Sequence, residues 1–351
     1  MKIKPEDVNS SYLIFMIAPS IFSKLVDYVK RLFAFILDSP TLLKKQFFAA
    51  KQNFYKLQYN LKNFAEANIT LGIYHLNNQN YNDAIFRFML VDKFLRPNDP
   101  FVNYWMGWTY FLKNNHKKAI IHLEKGKEED KIGLLKFIKT ISNVTKVPSE
   151  IYSICRGMIM EDIIDKFFNK SYDLPKNLII QLVGTIDKLP EKYSILEIGS
   201  NVGLTGQEIQ KRMHDGFSLT GVESSIEMIK LQERCGRDLS YNRVINLPIE
   251  EYLIESKGEK YDVILSIDGF SNNSELSDAF KHMTNLLSDE GYFAFALRTS
   301  NSIKFSEKYL EFSYDKDYIK QILKSCGLKI IVDLDLGLLM KDDYCIFICK
   351  K

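Results

Sequence analysis

The residues best placed to do chemistry run from Ser194 to Gly206: Ser194-Ile195-Leu196-Glu197-Ile198-Gly199-Ser200-Asn201-Val202-Gly203-Leu204-Thr205-Gly206. An apolar run ends in an acid, a glycine loop follows, and the spacing then predicts a helix over 207–213. Such a strand, turn and helix cradles a nucleotide-like ligand. A dinucleotide fingerprint has the spacing G-x-G-x-x-G. Here the first interval is wider, Gly199 to Gly203, and the acid Glu197 stands two residues before the first glycine. A second acid, Glu223, ends the next apolar run, Phe217 to Val222, twenty residues after Gly203. A carboxylate at that edge accepts both hydroxyls of a ribose in one bidentate contact. It would also be stabilised, without any ligand, at the start of the helix expected over 224–236. Asp268 ends a third run, Tyr261 to Asp268, of the continuous apolar kind that a parallel sheet buries on both faces. It therefore lies where open α/β sheets bind ligands, or caps a loop there.

The order E-x-G-x-x-x-G with a following edge acid resembles the first motifs of class I S-adenosylmethionine (SAM)-dependent methyltransferases. That resemblance implies SAM as cofactor and a binding set of Glu197, Gly199, Ser200, Asn201, Gly203, Glu223, Ser224, Ile249 and Asp268. Glu197 would help hold the cofactor's amino group, the glycines would admit its methionine part, and Glu223 would take the ribose. Asp268 would stand close to the transferred methyl. Near the adenine the family usually carries an acid and a small residue, whereas this chain has Pro248-Ile249, with acids only at Glu250 and Glu251. The adenine contact would then fall to the Ile249 or Glu250 backbone. After Asp268 comes Gly269-Phe270-Ser271-Asn272, which is not the Asn/Asp-Pro-Pro-aromatic motif of methyltransferases acting on adenine or glutamine amino groups. Arg298, just past a strand end, would suit an acidic substrate or a plain surface; His282 falls within a helix, away from that edge. No residue is assigned as catalytic, because methyl transfer is largely positioning and water exclusion.

The elements that must position these residues occupy the second half of the chain. Strands are expected at 194–198, 217–222, 243–247, 261–268, 292–297, 328–334 and 344–349, with helices between them. The last connection is too short for a parallel crossover, so the final strand must run antiparallel. Seven strands with a terminal antiparallel hairpin resemble the class I methyltransferase sheet and disfavour a nicotinamide-dependent dehydrogenase. Helices over 151–168 and 176–188 precede the first strand, making Phe167, Phe168 and Tyr172 lid candidates or ordinary core aromatics.

In front of this lies an internal repeat. Leu71-Gly72 is followed by Ala84 and Phe88, and Met106-Gly107 by Tyr110, Ala119 and Leu123, so both glycines and alanines recur at a spacing of 35. Two helices per unit with small residues at the crossing resemble the tetratricopeptide repeat, although His75, Gly126 and Lys131 depart from its pattern. Two units are few for a solenoid, so helices over 41–62 and 132–142 are expected to complete the stack. Repeats of this kind make partner surfaces or simply pack on a neighbouring domain. Residues 12–37, amphipathic at helical spacing over 21–37, suit packing or, less readily, contact with a membrane surface.

The domain boundaries expected are thus 1–40 (amphipathic segment), 41–145 (tetratricopeptide-like helical domain), 146–190 (leading or lid helices) and 191–351 (methyltransferase domain). The fold class is an α/β Rossmann-like seven-stranded domain preceded by an all-α domain. Length supports two domains, since 351 residues exceed one ordinary core. A net charge of +3 is too slight for a nucleic-acid footprint. Five scattered cysteines suit a reducing cytoplasm, and no zinc spacing or membrane-spanning apolar run is present. The strings Gly203 to Gly206, Leu219 to Ser225 and Tyr292 to Ala296 further resemble bacterial predicted methyltransferases that carry tetratricopeptide repeats. Methyl transfer to a small-molecule or protein acceptor follows from the resemblance; a scaffold that keeps the fold without turnover is the alternative.

Overall fold

The computed structural model describes residues 48, 50–57, 59, 63–159, 172–256, 258–336 and 343–351. The expectations for 1–40, and for Phe167 and Phe168, lie outside the described residues. The chain divides at Ala67/Asn68 into two compact units. Within the first, the described residues from 48 to 59 are helical. The division falls inside the first named helix.

Among the described residues, helices α1 (Phe64–Asn77), α2 (Tyr81–Leu90), α3 (Pro100–Leu112), α4 (His116–Lys125) and α5 (Leu134–Thr140) follow. Asp99 starts α3 by accepting the Val102 N–H, with Pro100 at the first helical position where its missing donor costs nothing. The repeat spacing has a packing cause. A Cβ at Gly72 would meet the Phe88 ring at 2.5 Å, and one at Gly107 would meet Leu123 Cγ at 2.4 Å. Phe88, Leu123, Ala84 and Ala119 are all fully buried. Each glycine thus lets its helix pair close on the large residue at the equivalent place in its repeat. Gly107→Val is expected to cost about 1–3 kcal/mol by overpacking, read as a lower urea midpoint; an unchanged midpoint would show the crossing to be loose.

The α/β part follows α6 (Ser149–Met158) and α7 (Leu174–Thr185). Its strands are β1 (Tyr193–Ile198), β2 (Phe217–Val222), β3 (Arg243–Ile245), β4 (Tyr261–Ile267), β5 (Leu287–Arg298), β6 (Lys304–Ser306), β7 (Glu311–Ser313), β8 (Lys329–Asp335) and β9 (Tyr344–Lys350). Its helices are α8 (Leu204–Arg212), α9 (Ile226–Arg234), α10 (Ile249–Glu255), α11 (Ser277–Leu286) and α12 (Lys316–Ser325). Seven strands form one sheet in the order β3-β2-β1-β4-β5-β9-β8. Pairings from β3 to β5 are parallel, while β9 runs antiparallel to both β5 and β8. The parallel strands β1 and β4 are apolar and buried almost throughout, because helices cover both faces. The order reverses at β1, so β1 and β4 flank the crevice in which such sheets bind ligands.

One feature departs from the sequence reading. The segment after β5 folds into a separate hairpin of β6 and β7, which the periodicity did not suggest. Ile249 and Glu250, the expected backbone contacts for an adenine, lie in the first turn of helix α10, with Pro248 as its N-cap.

Candidate functional site

The crevice is built by four strand ends. After β1, the glycine loop turns through left-handed backbone at Gly199 (φ 75°), Asn201 (φ 49°) and Gly203 (φ 77°). At Gly199 a Cβ would lie 2.9 Å from the Gly269 Cα, and at Gly203 it would meet Arg237 and Gln232 at 2.9 Å. Both positions therefore exclude side chains for space as well as for backbone geometry. Asn tolerates the left-handed region better than most residues, and Asn201 also ties the turn by donating from Nδ2 to the Gly199 carbonyl at 2.8 Å.

Glu223, at the end of β2, is held by this loop. Its Oε2 accepts the Asn201 N–H at 2.9 Å and its Oε1 accepts the Ser225 N–H at 2.8 Å. Each carboxylate oxygen has two lone pairs, so acceptor capacity remains. Ser225 also caps α9, and Ser224 offers its carbonyl to Ser153 Oγ at 3.3 Å. Ser200 is buried, and its Oγ has no hydrogen-bond partner.

Glu197 lies elsewhere. It points under the loop, fully buried, where Oε2 accepts the Tyr241 hydroxyl at 2.6 Å. The Tyr241 ring occupies space that only glycine leaves: a Cβ at Gly206 or Gly221 would come within 2.9 Å of it. Gly206 thus serves packing, a role the sequence motif did not reveal. Burial is the main cause pushing the Glu197 carboxyl up to about 8, with the Glu223 charge adding and hydrogen bonds from Tyr241 and Thr205 opposing. The folded state therefore keeps a proton that the unfolded chain releases near 4.5. The stability this contributes is full below about pH 4.5 and is lost as pH rises through about 8. Across that window the unfolding free energy is expected to fall with pH, and Glu197→Gln, which cannot ionise, should remove most of the slope. Parallel pH profiles for the two proteins would contradict the assignment.

Beyond β4 and β5 lies a buried polar network. Asp268 (φ 57°, 9% exposed) accepts the Tyr344 hydroxyl from the start of β9. Arg298 donates from Nε to Tyr344 Oη at 3.0 Å and lies 3.8 Å from Glu311. Glu311 comes from the unforeseen hairpin and pairs at 3.0 Å with Arg156 of α6. Arg156 also donates to Tyr152 Oη at 3.0 Å and to Asn201 Oδ1 at 2.6 Å, and Tyr152 reaches Ser271 after β4. Burial opposes the charge on Arg156, but Tyr152, Glu311 and Glu223 face it and keep it protonated. Arg298 is accordingly half-buried at the edge of this network.

Helix α6 roofs the crevice. Ser149 donates to Glu250 Oε2 at 3.1 Å beside β3, Ser153 reaches Ser224 beside β2, and Arg156 reaches the loop after β1. Lys146 pairs with Glu250 at 2.9 Å, and Val147 N–H donates to the Asn272 carbonyl after β4. Ile249 is half-buried beside this contact. Tyr172 packs against both core clusters and, with Ser200, Asn201 and Ile267, lines a cavity of about 10 Å³. Leu112, at the end of α3, packs on a small cluster formed by Ile159, Val202, Met228 and Leu231. His282 accepts no such role, as its ring contacts only the Asp278 carbonyl on its own exposed helix face.

Of the nine candidates, Gly199, Ser200, Asn201, Gly203, Glu223, Ser224 and Asp268 share one crevice, Ile249 borders it, and Glu197 lies beneath it. Arg156, Tyr152, Glu311 and Tyr344 were not singled out from the sequence. Tyr152 and Arg156 stand four apart on α6, one helical turn, and that polar pair on an otherwise apolar buried face was the readable signal. Glu311 gave none.

Residues 196–293 match a family model described as a methyltransferase domain. Over this stretch the chain is similar to a methyltransferase domain. No curated protein matches the sequence. Among solved structures, a Leishmania major SAM-dependent methyltransferase is 14% identical over 54% of this chain and 77% of its own, with a TM-score of 0.42. The Burkholderia thailandensis 1,6-didemethyltoxoflavin-N1-methyltransferase is 14% identical over 58% of this chain and 90% of its own, at 0.43. A SAM-dependent methyltransferase of Clostridium acetobutylicum is 16% identical over 54% and 97%, at 0.40. All three scores lie below 0.5, so the similarity rests on the matched residues 196–293.

The crevice residues fit an adenosyl amino-acid cofactor. Glu223 retains lone pairs at the end of β2, and the buried Ser200 Oγ and Arg156 Nε lack partners. SAM supplies an electrophilic methyl group; the chain supplies position, enclosure and fixed charge. Among the described residues there is no cluster of three or more side chains able to hold a metal, and no helix long and apolar enough to cross a membrane.

Proposed function

We propose that this chain methylates a small molecule or a slender side chain that enters the network beyond β4 and β5. The observation that carries this is enclosure: Asp268, Glu311 and Arg156 are each less than a tenth exposed, under α6 and the β6–β7 hairpin. A broad macromolecular surface could not reach groups so deep. Asp268 and Arg298, joined through Tyr344, place a carboxylate and a guanidinium together at that end of the crevice. Water exclusion and alignment supply the acceleration, which reaches roughly 7–11 kcal/mol in well-oriented systems.

The helical pairs serve, in this reading, as a tetratricopeptide-like surface for a protein partner. The matched closures of Gly72 on Phe88 and Gly107 on Leu123 support it, as do the exposed Tyr74, Phe86 and Phe94. The five free cysteines accord with a reducing, cytoplasmic setting.

One observation favours a second reading, a non-catalytic SAM-binding scaffold: α6 is fastened across the crevice at Glu250, Ser224 and Asn201. The test is incubation of the purified chain with methyl-labelled SAM and a cell extract separated by size. Label in the low-mass fraction is expected. Label confined to large proteins would overturn the small-acceptor reading, and binding of SAM with no transfer in any fraction would favour the scaffold.

A further inference from the structure

Arg156 has a donor to spare. Its side chain is 7% exposed, yet only two of its three nitrogens have acceptors. Nη1 donates to Glu311 and Tyr152, and Nη2 to Asn201. Nε–H is shielded from solvent and has no acceptor. A buried donor left unmet is costly, so its persistence beside a ligand crevice points to a group supplied from outside. The edge formed by Nε and Nη2 is one that receives a carboxylate in two parallel bonds. Nη2 carries two hydrogens and Asn201 takes one, so the edge can still be completed.

The location narrows the ligand. Asn201, which Arg156 touches, belongs to the glycine loop, and its backbone N–H holds Glu223. With the ribose at Glu223, the amino-acid half of the cofactor must lie over that loop, under the guanidinium. Glu311 stays on Nη1 and keeps the side chain aimed while the opposite edge is filled.

We propose that Arg156 binds the α-carboxylate of the cofactor's methionine half, so that the cofactor itself fastens α6 over the crevice. This rests on the methyltransferase reading above and adds a residue to it. A ligand with the carboxylate engages α6; one without it engages only Glu223 and the loop.

The experiment is calorimetric titration of the full chain with S-adenosylhomocysteine, with its decarboxylated analogue and with 5′-methylthioadenosine. The intact protein is expected to bind S-adenosylhomocysteine about 10- to 100-fold more tightly than either analogue, the value of charge-assisted hydrogen bonds. Arg156→Gln should reduce S-adenosylhomocysteine to the affinity of the analogues, whose own binding should change by no more than about twofold. Arg156→Lys, which keeps the charge beside Glu311 but lacks the planar edge, should fall between. Equal affinities of the intact protein for all three ligands would overturn the proposal, and this comparison does not depend on any variant folding. Equal losses for all three in Arg156→Gln would overturn it too, by making the residue purely architectural. If the intact protein binds none of the three, the methyltransferase reading falls, and the proposal with it.

Discussion

Glu223→Ala is expected to weaken S-adenosylhomocysteine binding by at least about 100-fold in a calorimetric titration, the largest effect of any single change to the cofactor crevice. The carboxylate makes two internal bonds, to the Asn201 and Ser225 N–H groups, and each anchors a different piece of the crevice. One pins the glycine loop and the other the start of α9. Alanine removes both anchors together with the ribose acceptors. Hydrogen bonds to a charged group are each worth about 1.5–3 kcal/mol, and two lost at once correspond to about a hundredfold or more. Glu223→Gln separates the contributions. It retains one carbonyl acceptor but turns an NH₂ toward a backbone N–H, so binding should weaken while the loop keeps part of its anchorage. Undiminished binding by the alanine variant would remove Glu223 from the ribose role altogether.

The second large effect concerns stability. Glu311→Leu should lower the unfolding free energy by about 3–5 kcal/mol, the usual consequence of stranding a buried charge. Arg156 would keep its guanidinium in the interior with its nearest counter-charge gone, and the Tyr152 hydroxyl would lose an acceptor. Arg298, 3.8 Å from the same carboxylate, would also be less well balanced. The double change Arg156→Met with Glu311→Leu removes both charges and should recover most of the loss, because desolvating a pair costs nearly what the pair returns. Urea unfolding of the two singles and the double measures this coupling directly. A double variant as unstable as the sum of the singles would show that the pair does not act as one unit.

These effects follow from contacts of very different legibility. Gly199 and Gly203 announced themselves, since their positive φ and crowded Cβ positions demand glycine and nothing else. Glu223 was readable because the end of an apolar run, a fixed distance past a glycine loop, has one place in an open sheet. Gly206 was readable as a glycine but not as a packing partner of Tyr241, which is 35 residues away. Glu197 was readable as an acid near the loop. Its burial beneath the loop was not, because the strand's alternation decides which face it takes only once α8 and Tyr241 cover that face.

By itself, the sequence determined the order of the seven strands of the main sheet, the reversal of the last strand, the loop at β1 and the acid at β2, because these depend on local period and turn chemistry. It also determined the close helix crossings at Gly72 and Gly107, where a missing side chain is visible at fixed spacing. Only the tertiary structure decided that α6 roofs the crevice, that Arg156 of α6 meets Glu311 of the β6–β7 hairpin, and that Asp268 meets Tyr344. Arg156 and Glu311 are 155 residues apart in the chain and Asp268 and Tyr344 are 76 apart. No local pattern encodes such pairs. They arise because burial forces each polar group to find whichever partner the packed helices and strand ends bring within reach.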